Sequence, residues 1–168
     1  QNPAKATATA TASKIPIADG AGLLDSWVTL PLRTSLTAQV DKTADTSLGN
    51  TMSLSLAASA RYLFKAGLFV NANLTGGHKY ALDGTVTVTG IKYHVLSIDD
   101  NSNSNVITSR QTALAGSVGQ AGATTVYTEI TGALASSAAG TINVQFGQQV
   151  ANSTSSLLTH SWFESTKE

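Results

Sequence analysis

The chain contains no cysteine, which excludes a disulfide scaffold and thiolate metal sites and leaves the redox compartment open. Charge is scarce too. Charged residues make up 12% of the 168 positions, divided evenly into 10 basic and 10 acidic. With no basic surplus to neutralise phosphates, nucleic acid is not expected as a partner. So little charge is poor for the surface of a free monomer but suits one that is covered in a subunit interface, so assembly is expected. No run of eighteen apolar residues occurs, so no membrane insertion is expected, and the chain reads as soluble or as part of a soluble assembly. Convincing helices are missing as well. The best candidate, Ala133-Leu134-Ala135-Ser136-Ser137-Ala138-Ala139, has no apolar stripe and is hemmed by Gly132 and Gly140, so a loop is expected there.

Catalytic and metal motifs are also missing. The three histidines, His78, His94 and His160, show no His-x-x-x-His or carboxylate spacing, so no zinc site is assigned, and His94 beside Tyr93 reads as a structural imidazole. Serines abound without a Gly-x-Ser-x-Gly elbow, so no nucleophile is assigned and the chain is not expected to be an enzyme. The run Asp99-Asp100-Asn101-Ser102-Asn103-Ser104-Asn105 has oxygen side chains throughout. It lacks a glycine at its sixth position and has Arg110 where a bidentate Glu should fall, so it reads as a solvated hairpin tip rather than a calcium loop. No cofactor is expected. Asn73-Leu74-Thr75 and Asn152-Ser153-Thr154 match glycosylation sequons.

What is present is β patterning. Gly140-Thr141-Ile142-Asn143-Val144-Gln145-Phe146 alternates apolar and polar side chains, putting Ile142, Val144 and Phe146 on one face of a strand. After the polar run Asn152-Ser153-Thr154-Ser155-Ser156 comes Leu157 to Phe163, and the whole reads as a terminal β-hairpin. From Thr51 onward strands are expected at Met52 to Leu56, Arg61 to Phe64, Gly67 to Leu74, Thr85 to Ile98, Asn105 to Ala113, Thr124 to Ile130, Gly140 to Gln149 and Ser156 to Ser165. Gly90 is expected to mark a bulge in the fourth of these. About eight short strands suit an all-β antiparallel sandwich of jelly-roll type, with an open meander as the alternative.

Residues 1–50 differ in character. Ala4 to Ala12 repeats small residues that cannot nucleate a core, and Pro16 and Asp19-Gly20 favour an extended segment and a turn. The expected division is an N-terminal docking arm over 1–50 and a sandwich head over 51–168. Gln1 is not Met and no basic and apolar signal regions follow it, so a removed upstream part is expected. Docking is expected to use Ile15, Pro16, Ile17, Leu23, Leu24 and Trp27. Aromatics are only 6% of the chain, so Tyr62, Phe64, Phe69, Phe146, Trp162 and Phe163 are each assigned as core or interface anchors. Tyr80, Tyr93 or Tyr127 could instead build a carbohydrate platform.

The segment Ser13-Lys14-Ile15-Pro16-Ile17-Ala18-Asp19-Gly20-Ala21-Gly22-Leu23-Leu24-Asp25-Ser26-Trp27-Val28 resembles the linker of tail-fibre and structural proteins of tailed bacteriophages. There a SKIPIAD-x-x-x-x-L-D-x-W run leads into the distal module. Arg61-Tyr62-Leu63-Phe64-Lys65-Ala66-Gly67 and Gly140 to Phe146 are similar to strands of the trimeric jelly-roll heads of phage fibres, whose shape is like that of C1q and tumour-necrosis-factor domains. The resemblance implies a homotrimer on the virion surface. Other virion proteins would hold its N-terminal arm, and the head would aid attachment to host polysaccharide or protein. Long shaft repeats and coiled-coil heptads are absent, which keeps a capsid decoration or cement protein open as the alternative. A secreted adhesin with a C1q-like head is a third reading.

Overall fold

A computed structural model describes residues 31–99, 107–121 and 125–168. The described residues form two antiparallel sheets that enclose one apolar core, a β-sandwich. The strands, numbered in chain order, divide as follows. The larger sheet runs β1 (Leu32–Ser35), β12 (Trp162–Lys167), β4 (Ala60–Asn71), β9 (Thr125–Ala138), β6 (Thr87–Asp99) and β7 (Ile107–Gln111), with β11 (Ser155–Leu157) pairing both β4 and β2 (Val40–Lys42). The smaller sheet runs β3 (Gly49–Leu56), β10 (Gly140–Gly147), β5 (His78–Gly84) and β8 (Val118–Gln120).

Period-two patterning builds both inner faces. In β4, Ala60, Tyr62, Phe64, Ala66, Leu68 and Val70 are buried, and they face Ser136, Leu134, Gly132, Ile130, Thr128 and Val126 of β9 in register. Met52, Leu54 and Leu56 of β3 and Ile142, Val144 and Phe146 of β10 close the core from the other sheet.

Four expectations are corrected. The terminal segments do not form a hairpin: β10 pairs β3 and β5 in one sheet, whereas β12 pairs β4 and β1 in the other. β10 turns Ile142, Val144 and Phe146 inward and β12 turns Phe163 inward, and sending the strands to opposite sheets brings these onto one core. The buried Gln148 ties down the crossover, donating to the Ser153 carbonyl and to Ser155 Oγ at 3.3 Å and accepting from the Asp45 amide at 3.0 Å.

The second correction concerns the boundary at residue 50. β1 pairs β12 and β2 pairs β11, so residues 32–50 belong to the sandwich rather than to an arm. Third, the alanine-rich stretch expected as a loop is the end of β9, bonded to β4 on one side and β6 on the other. Two neighbouring strands overrule the poor β propensity of alanine. Gly132 inside it is a packing glycine: a Cβ there would lie 2.5 Å from the Lys92 carbonyl oxygen and 2.6 Å from the Phe64 ring. Fourth, the strand count is twelve among the described residues rather than about eight, because short edge pieces carry little periodic signal, while the two strands expected across Arg61 to Leu74 are one. The bulge beside Gly90 is present, as a register shift between Val88 and Gly90 against β9.

Candidate interaction face

The outer face of the larger sheet presents side chains from five or more adjacent strands. Register assigns its rows. One row places Trp162, Gly67, Glu129, Leu96 and Thr108 side by side across β12, β4, β9, β6 and β7. The next places Arg33, Glu164, Lys65, Thr131, His94 and Arg110 in line. On the other side of the first row, Phe69, Tyr127 and Ile98 form an aromatic and apolar row.

Side-chain contacts stiffen this face. Trp162 lies over Gly67, where a Cβ would fall 2.6 Å from the indole Nε1, and the Arg33 guanidinium stands 5.0 Å above the Trp162 ring. Arg33 also reaches Glu164 at 3.5 Å, and Lys65 pairs with Glu129 at 3.0 Å. That hydrogen bond, with the attraction of opposite charge, raises the Lys65 pKa and lowers that of Glu129, which also accepts from Thr131. The Phe69 and Tyr127 rings sit 5.3 Å apart, yet Phe69 remains 41% exposed and Ile98 42%. At the far end of β4 a groove of about 450 Å³ is lined by Arg61, Gly90, Lys92, Ala133, Ala135 and Glu168.

The residues singled out from the sequence fall in three places. Tyr62, Phe64, Phe146 and Phe163 are buried between the sheets. Phe69 and Trp162 point outward on the face just described. Ile15, Pro16, Ile17, Leu23, Leu24 and Trp27 lie outside the described residues, as do 100–105 of the acidic loop. The tyrosine platform is corrected, because Tyr80 and Tyr93 are in the core and only Tyr127 reaches the surface. Tyr93 donates to the Gly116 carbonyl at 3.1 Å.

His78 is buried against the Tyr80 ring, and His94 and His160 are exposed. Among the described residues no group of three or more histidines and carboxylates comes together as a metal site. The Asn73 side chain caps its own turn, accepting from the amides of Thr75 and Gly76 at 3.1 and 2.8 Å. The sequence reading missed the ion pairs and the Arg33–Trp162 stack, which join strands far apart in the chain. Local patterning carries no sign of which strands will be neighbours.

No protein-family model matches the chain, and no curated protein matches it in sequence. Solved structures align at 10% identity with infectious bursal disease virus, Gt strain (86% of this chain, 43% of that one, TM-score 0.26). The VP2 subviral particle of the same virus aligns at 10% identity over 90% of this chain and 46% of that one, with a TM-score of 0.24. The CBM22-1–GH10 modules of an endo-1,4-beta-D-xylanase of Clostridium thermocellum, complexed with xylohexaose, align at 15% over 71% and 28%, with a TM-score of 0.20. The chain spans less than half the length of these structures. TM-scores of this size assign neither a family nor an activity.

Proposed function

We propose that this chain is a virion structural protein of a tailed phage: a homotrimeric head, anchored through its N-terminal residues and displayed outward to aid host attachment. The observation that carries the reading is the row of Phe69, Tyr127 and Ile98 on the outer face of the larger sheet, with Leu63 further along it at 50% exposed. A sheet that already has a core on one side leaves such a row uncovered unless sister copies pack on it. Twenty charged residues in 168 fit a chain whose surface is partly buried in assembly. The phage-like Ser13 to Val28 linker supports the virion setting.

Sedimentation or native mass measurement tests the reading. At micromolar concentration the wild-type chain should have three times the subunit mass. Phe69→Asp should have the single-subunit mass with an unchanged β-type circular dichroism spectrum. A wild-type chain that stays a single subunit at that concentration overturns the trimer. Purified trimer should adhere to host cells, and failure to adhere overturns the attachment role.

A further inference from the structure

The groove at the far end of the outer face has charge without a partner. The ion pairs among the described residues are Arg33–Glu164, Lys42–Asp45 and Lys65–Glu129, and neither Arg61 nor Lys92 takes part in one. These two cations flank a floor of Gly90, Ala133 and Ala135, with Glu168 as a further lining residue. The groove has a volume of about 450 Å³ and is open to solvent along the sheet face. Gly90 is not required by the subunit's own packing: its φ is not positive, and a Cβ there would meet nothing within 4 Å. Gly90 stands at the bulge of β6 against β9, and its lack of a side chain leaves the groove open over the neighbouring strand.

We infer that this groove binds a carboxylate-bearing sugar unit. Arg61 offers a planar fork that matches a carboxylate in two parallel hydrogen bonds, and Lys92 adds a point charge across the groove. The small floor lets the C–H face of a pyranose ring lie flat against the strands. Glu168 accepts from a ring hydroxyl. The groove lies at the opposite end of β4 from Phe69, with Leu63 beside its floor, opposite Ala133. Arg61 and Phe69 are eight residues apart on one strand, about 26 Å at the usual rise.

Titration of trigalacturonate into the full chain, by calorimetry at low salt, tests the inference. Wild type should bind, and Arg61→Gln and Lys92→Gln should each weaken binding about tenfold, the scale of one charge-assisted contact. Gly90→Leu should fill the groove and abolish binding without lowering the melting temperature. The methyl-esterified trimer, which has the same rings and no charge, should not bind. If Gly90→Leu does not fold, shifts of the Gly90, Ala133 and Ala135 amide resonances in the wild type on adding trigalacturonate give the same answer.

The inference is overturned if wild type does not bind at millimolar ligand, if the ester binds equally, or if a folded Gly90→Leu binds as wild type does. Equal affinity for inorganic phosphate or polyaspartate overturns the sugar assignment. A wild-type chain that is a single subunit and still binds trigalacturonate supports the inference while overturning the trimer.

Discussion

The Thr128 hydroxyl donates to the Tyr80 hydroxyl at 3.0 Å, across the gap between the two sheets. Both residues are fully buried, and Thr128 Oγ1 also lies 2.6 Å from Ser97 Oγ. Three hydroxyls from β5, β9 and β6 thus share one chain in an apolar core, and a chain like this fixes which residues face one another. Tyr80→Phe removes one end and leaves the Thr128–Ser97 contact, so it should cost about 1 kcal/mol by chemical denaturation. Thr128→Val strips a partner from two buried hydroxyls and should cost about 2–4 kcal/mol. A smaller loss for Thr128→Val than for Tyr80→Phe would contradict the shared chain.

Alkaline pH should destabilise the sandwich through the same residue. Burial pushes the Tyr80 phenol well above the ordinary tyrosine range, against a smaller opposing effect of the Thr128 hydrogen bond. Above pH about 10 an unfolded tyrosine ionises. Folded Tyr80 stays protonated, so the folded state binds more protons and stability falls as pH rises. Tyr80→Phe should show a shallower alkaline decline than wild type in denaturant midpoints measured between pH 8 and 11.

Acid should act through carboxylates. Asp45 is held well below the usual carboxylate range by hydrogen bonds from Lys42 and Ser47, and Glu129 is lowered by Lys65. Groups with depressed folded pKa values contribute stability above their unfolded value, about 4, and lose it as pH falls through the folded value. Asp45→Asn and Glu129→Gln should therefore narrow the stability difference between pH 6 and pH 2. The Lys65–Glu129 pair is exposed and screened by solvent, so Glu129→Gln should narrow it less than Asp45→Asn does.

Gly132→Ala should be among the costliest single-methyl additions. The new Cβ would meet backbone on β6 at 2.5 Å, and backbone yields less readily than a side-chain tip. A loss of about 3 kcal/mol is expected, with a lowered melting temperature and β content retained.

Two phenylalanines should separate folding from assembly. Phe163 is fully buried and packs edge-on to Phe64 at 6.4 Å, so Phe163→Ala should cost about 3–5 kcal/mol in subunit stability. Phe69 is partly exposed, so Phe69→Ala should cost the subunit about 1 kcal/mol or less, while weakening the assembled mass in dilution experiments. Equal losses in subunit stability would remove the distinction between core and face.

Much of the site lay beyond what local pattern could reveal. Alternation through Arg61-Tyr62-Leu63-Phe64 marks Tyr62 and Phe64 as inward and Arg61 and Leu63 as outward, and the sheet has them so. It says nothing of Lys92 and Gly90, which come to Arg61 only because β9 lies between β4 and β6. Trp162 reads from the sequence as an anchor, and only the pairing of β12 with β4 and β1 sets its ring over Gly67 and under Arg33.

By itself the sequence determined that this is a β protein, that Ile142, Val144 and Phe146 would share the dry side of their strand, and that neither disulfides nor thiolate metal sites could hold it together. Those properties follow from side-chain chemistry and a two-residue period, and both are local. Tertiary structure alone decided that β10 and β12 part into different sheets, that an alanine-rich stretch is a central strand, and which outward charges meet and which stay unpaired. Partners in a sheet are chosen by burial over the whole chain, with contacts dozens of residues apart, so no window of sequence contains that choice.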